Sequence, residues 1–206
     1  MPVSNDPTLS MRRVVRLAAI LNIAYFGVEF GVALAIGSVS LFADSIDFLE
    51  DTSVNLLILL ALNWSARSRA RMAMVLAGIL LVPGVATLWT AWRKLAVPVP
   101  PSPLPLSLAG AGALAVNMCC AIMLARYRHH VGSLTRAAFL SARNDVLANV
   151  AIIVAGLLTA YTRSAWPDLV VGLGIAIMNV DAAKEIYRLA QEEHRTALTR
   201  AFSSDT

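Results

Sequence analysis

The chain has 206 residues, of which 58% are hydrophobic and only 15% charged. That balance excludes a soluble domain of this size, whose surface alone would need more charge. The net charge of +4 is divided among short basic clusters, which also excludes a single nucleic-acid-binding patch.

Residues 1–11 open the chain as a polar segment, MPVSNDPTLSM, and carry no small-residue cleavage site of a signal peptide. Six apolar spans follow, near 12–36, 39–63, 71–93, 104–126, 137–162 and 167–189. About 20 apolar residues cross the hydrocarbon as a helix, and the alternation of a β-barrel strand is missing. The expected fold is therefore an all-α membrane protein of six transmembrane helices, with a transport domain over 12–189 and a short tail over 190–206.

Span three contains Pro83 beside Gly84, where a kink is expected. After it comes VPVPPSPLPL, with Pro98, Pro100, Pro101, Pro103 and Pro105. Each ring removes a donor and restricts the residue before it, so this stretch is expected to be a non-helical connector. Span four carries Gly110, Gly112 and the adjacent Cys119 and Cys120. Neighbours on a helix point about 100° apart, so the two thiols read as small packing residues and not as a disulfide. A soft-metal site with Met118 is the sharper alternative, and it lacks a third thiol. Gly110, Gly112, Gly172 and Ala176 form smooth strips for close helix contact. Trp64, Trp89, Trp92 and Trp166 fall at span ends, as interfacial anchors do.

All of the 17 basic residues except Arg93, Lys94 and Arg163 fall on one side of these spans. Both termini are therefore expected to be cytoplasmic. His129 and His130 lie in a basic cytoplasmic loop, to be read as solvated or as an entrance that captures metal. Glu192, Glu193 and His194 form a polar tail stabilised by i,i+4 pairing.

The unusual feature is in span two. FADSIDFLEDTSVN places Asp44, Asp47, Glu50 and Asp51 where each charge costs about 3 kcal/mol to insert. Asp44, Asp47 and Asp51 fall within roughly a 60° arc, and Glu50 points about 60° further off. Span five carries SARNDVLANVAII, in which Ser141, Asp145 and Asn149 are spaced four apart and stack on one face. If the two faces meet, Asp47, Asp51 and Asp145 give three anionic ligands for a divalent cation. Water, Ser141 or Asn149 would take the fourth place, and Asp44 is an auxiliary metal or proton group. For any single acid the plain alternative is a structural bond to a neighbouring helix or a pairing with Arg143.

The run GSVSLFADSIDFLEDTSVNLL resembles the second helix of the cation diffusion facilitator family, where a Gly-Ser start leads to ADAxHxLxD or to a DxxxD pair, here Asp47 and Asp51. NDVLANVAIIVAGLL is similar to the fifth helix of that family, whose HxxxD motif aligns its acid with Asp145. Span one, with Asn22, Glu29 and Gly31, resembles the first helix. Two positions depart from the pattern. Ser141 stands where the family usually has histidine, and the chain stops shortly after span six, where the family usually continues into a cytoplasmic metallochaperone-like domain. Dimerisation would then rest on membrane contacts or the tail.

The resemblance implies efflux of a divalent transition metal, Zn²⁺ first and Cd²⁺, Mn²⁺, Co²⁺ or Fe²⁺ as alternatives, in exchange for protons. The metal is substrate and no cofactor is expected. The setting would be the bilayer of a bacterial inner membrane, with a homodimer as the working unit and no nucleic acid as partner. Two enzyme readings compete. A CDP-alcohol phosphotransferase also holds metal on intramembrane aspartates, but its motif needs a Gly after the second Asp and an Ala-Arg pair, and Phe48 and Thr52-Ser53 occupy that region. An intramembrane protease could use Asp51 and Asp145 as its dyad, with no supporting motif.

Overall fold

The computed structural model describes the backbone of residues 7–61, 75, 85–125, 133–179, 184 and 188, and the side chains of 10–59, 75, 85–125, 142–179, 184 and 188. The described residues form helices α1 (Pro7–Ile36), α2 (Val39–Ala61), α3 (85–96), α4 (Pro103–Ala125), α5 (Ser133–Thr162) and α6 (Trp166–Asn179). The expected kink at Pro83-Gly84, His129, His130, Trp64, the side chain of Ser141 and the tail lie outside the described residues.

Ser10–Ile36, Pro103–Ala125 and Ala142–Thr162 are long and apolar enough to cross a membrane. Helix α2 has 23 residues, the length of α4, but the acids Asp44, Asp47, Glu50 and Asp51 set it apart from those three. The surface is apolar. Leu104, Leu157, Val170 and Ile177 are more than half exposed, as side chains facing lipid should be. Trp89, Trp92 and Trp166 are also exposed, at the end of α3 and the start of α6. Polarity is inside, where Asn22, Glu29, Asp44, Asn149 and Asp168 are each fully buried.

The connector is shorter than its prolines suggested. Val97 to Ser102 is non-helical, but α4 begins at Pro103 and takes in Pro105. The first-turn amides of a helix have no intrahelical acceptor, so a proline there forfeits nothing and supplies the right φ. Pro7 opens α1 in the same way.

Helices α1 and α2 form an antiparallel hairpin in a fixed register. Asn22 faces Asp51, Tyr25 faces Phe48 with ring centroids 5.2 Å apart, and Glu29 faces Asp44. Each step up α1 is matched by the same step back along α2. The turn is made by Gly37, whose φ of 64° lies in the left-handed region, and the Ser38 amide then donates back to the Ala33 carbonyl at 3.0 Å. This is the glycine C-cap that lets α1 stop and α2 start within two residues.

The start of α2 is held by α6. Ser38 Oγ accepts from the Leu41 amide at 3.2 Å, an ordinary N-cap. The Val39 and Ser40 amides instead donate to the Asp168 carboxylate at 3.0 and 3.1 Å. Asp168 also accepts from Ser38 Oγ at 2.6 Å, Ser40 Oγ at 2.7 Å and Lys94 Nζ at 2.8 Å. Lys94 further donates to the Gly37 carbonyl. One buried carboxylate thus ties α2, α3 and α6 together at one end of the bundle. Close approach is needed for this, since a Cβ on Gly172 would sit 2.7 Å from the Ser40 nitrogen. Helix α4 packs along α5 and α1, and α5 also touches α2.

Candidate metal centre

The arc of acids on α2 straddles two neighbours. Asp44 and Asp51, seven residues apart, turn toward α1, whereas Asp47 and Glu50 turn toward α5 and α6. Asp47, Glu50, Asn144, Asp145 and Asn179 line a cavity of about 90 Å³ between these three helices. The sequence geometry set Glu50 apart from the other acids. Even so, Glu50 is 8% exposed and shares the cavity with Asp145, also 8% exposed. A 60° offset on a helix is small when two facing helices flank the arc.

Asp51 is aimed by a side chain from α1. Asn22 Nδ2 donates to Asp51 Oδ2 at 3.4 Å, and Asn22 Oδ1 accepts from the Cys120 thiol of α4 at 3.6 Å. Asp145 lies near enough to Asp47 and Asp51 to act on both electrostatically. The condition set by the sequence, that the acid-bearing faces of α2 and α5 meet, is met to the extent that Asp47 and Asp145 line one cavity. Among the described residues, no three side chains of the His, Cys, Asp and Glu types are gathered at metal-binding distance. Any ion held here must draw its ligands inward.

Two asparagines follow one device. Asn55 Nδ2 donates to the Asp51 carbonyl at 2.8 Å, and Asn149 Nδ2 donates to the Asp145 carbonyl at 2.7 Å. Each amide nitrogen is tied to its own helix, so each Oδ1 is left buried without a hydrogen-bond partner. Burying an unpaired carbonyl is costly, and both oxygens stand one turn from an acid. Asn149 was a sequence expectation. Asn55 was not, although DTSVN and DVLAN share the same Asp-to-Asn spacing.

Asp44 takes a different place. It faces Glu29 of α1 within hydrogen-bonding reach should one of them carry a proton, and none of their four oxygens has another partner. Neither lines the cavity. Asn179 closes it from α6 by donating to the Ala43 carbonyl at 3.1 Å. Arg143 is exposed on the outer side of α5. The Lys94–Asp168 pair belongs to the far end of the bundle and is a structural site that counting charges did not reveal.

The chemistry is that of an oxygen-rich pocket set between helices of an apolar bundle. The family model for the cation efflux transmembrane domain matches residues 15–192. The chain belongs to the cation efflux family. It is an integral membrane protein, and its fold is the all-helical transmembrane domain of a cation transporter. A comparison with curated proteins finds no match.

Proposed function

We propose that this cation efflux protein exports a divalent transition-metal ion, Zn²⁺ first, in exchange for protons. The observation that supports this most is the cavity shared by Asp47 and Asp145, with Asp51 next to it, in a chain of the efflux family. Asp47, Asp51 and Asp145 are the proposed ligands. Asn149 and Asn55 supply neutral oxygens nearby, and Ser141, four residues before Asp145 in sequence, is a further proposed donor. An oxygen-rich set also admits Mn²⁺, Co²⁺, Fe²⁺ and Cd²⁺.

Carboxylates crowded away from water hold protons, and a divalent cation favours their charged form and displaces those protons. Binding and deprotonation are coupled by that competition. Asp47 lies eight residues along α2 from Val39, which is roughly 12 Å from the Asp168 network at 1.5 Å per residue. That network closes one end of the bundle, and the proposed entry is from the opposite, arginine-rich side, expected to be cytoplasmic. Release to the other side requires the helices to rock around the site. The working unit we propose is a homodimer in a bacterial plasma membrane.

The test is transport in proteoliposomes. Asp51→Ala, shown to be folded by circular dichroism, is expected to lose Zn²⁺ flux at least tenfold. Flux equal to the parent would remove Asp51 from the site.

A further inference from the structure

A soft donor stands beside this oxygen-rich site. Cys120 of α4 is 1% exposed, and its thiol is one asparagine away from Asp51, through Asn22. It packs with Ala18 of α1 and Ala142 of α5, with Leu21 and Met123 against the same cluster, so α1, α4 and α5 meet at the sulfur. Cys119, about 100° around the helix, is exposed.

A second side chain on the same inner stripe of α4 points to a ligand. Asn117 is 1% exposed and its Oδ1 has no hydrogen-bond partner. Its direction follows from Gly110, where a Cβ would meet Ile152 and Ile153 of α5. Seven residues on, Asn117 points the same way. The helices are antiparallel, so the matching α5 position is seven residues back, at Asp145 and Val146. The α4 face that carries Cys120 thus also aims an unsatisfied carbonyl oxygen at the level of Asp145. Both Asp51 and Asp145 lie close enough to Cys120 to act on it through space.

We propose that Cys120 enters the coordination sphere of the transported ion, with Asn117 as its neutral neighbour, and that it biases the site toward soft and borderline divalent cations such as Cd²⁺ and Zn²⁺ over Mn²⁺. This rests on the metal-site reading above. On binding, the S–H bond breaks, the sulfur gives its electron pair to the cation, and the proton leaves to bulk solvent. Asn22 then releases the thiol and keeps Asp51. The ligands come from three separate helices, α2, α4 and α5, so no motif spacing joins the sulfur to the carboxylates.

The full-length protein in detergent is titrated with Cd²⁺, and the ultraviolet charge-transfer absorption from thiolate to Cd²⁺ is followed beside calorimetric binding. A saturable band is expected that Cys120→Ser abolishes and Cys119→Ser leaves intact. The same Cys120→Ser variant should lower the preference for Cd²⁺ over Mn²⁺ at least tenfold. Calorimetric Cd²⁺ binding without a band in the parent overturns the role of Cys120 while leaving the carboxylate site standing. A band that survives Cys120→Ser overturns it as well. Cd²⁺ binding that is absent, or indifferent to Asp47→Asn and Asp145→Asn, overturns the metal-site reading and this inference with it.

Discussion

Asn22 holds Asp51 from the neighbouring helix, and a carboxylate aimed in this way meets an ion in a set orientation. Partners that orient a metal ligand commonly contribute tenfold or more to affinity. Asn22→Ala is therefore expected to weaken Zn²⁺ binding about tenfold, with helix content unchanged, in calorimetric titration. At the other end of the bundle, Asp168→Asn leaves the Lys94 ammonium buried beside a neutral amide. Breaking a buried ion pair from one side costs about 3–5 kcal/mol, so a lower melting temperature in detergent is expected. The acids of α2 and α5 were legible because a charge in an apolar helix is conspicuous and a spacing of four fixes its face. Asn117 was not, since one small polar residue in an apolar run has no periodicity, while Asn22 entered only through the family resemblance and Cys120 only as a soft-metal alternative with Met118. Lys94 and Asp168 were hidden differently. They pair across 74 residues of sequence, and each alone reads as a charge near a membrane surface.

At the scale of elements, the bundle rests on places where helices come close. Gly172 touches the backbone at the start of α2, with a Cβ there placed 2.7 Å from Ser40 nitrogen and Val39 carbonyl carbon. Backbone cannot yield as a side chain can. Gly172→Leu is expected to push α6 away from α2 and to destabilise by about 1–3 kcal/mol, which thermal unfolding would register. Gly37→Ala, at a φ of 64°, should cost about 1 kcal/mol through the left-handed backbone alone, with the packing around it unchanged. The helix order and the smooth strips of α4 and α6 were readable from hydropathy and glycine spacing. Hydropathy started span four near 104, but the prolines argued against helix as far as Pro105, because proline excludes a helix interior yet suits its first turn, and composition does not distinguish the two. Nor could spacing on one helix decide which neighbour each acid faces. That division, Asp44 and Asp51 to α1 and Asp47 and Glu50 to the cavity, is set by packing.

For the whole molecule, a fastened end and an acid-lined cavity stand at different depths among the described residues. One end is fastened by a satisfied network around Asp168, and the acid-lined cavity lies on the other side of the layer that it closes. If cation and protons compete for the same carboxylates, Zn²⁺ binding should release protons and tighten as pH rises. Calorimetry in buffers of different ionisation enthalpy measures that release. A binding constant indifferent to pH would separate metal binding from proton exchange. The most direct measurement is the anomalous scattering of Zn²⁺ in crystals of the full chain. The account predicts a peak between α2 and α5, about 2.0–2.2 Å from carboxylate oxygens of Asp47, Asp51 or Asp145. A fully occupied peak elsewhere, with no metal at any of these three side chains, would contradict it.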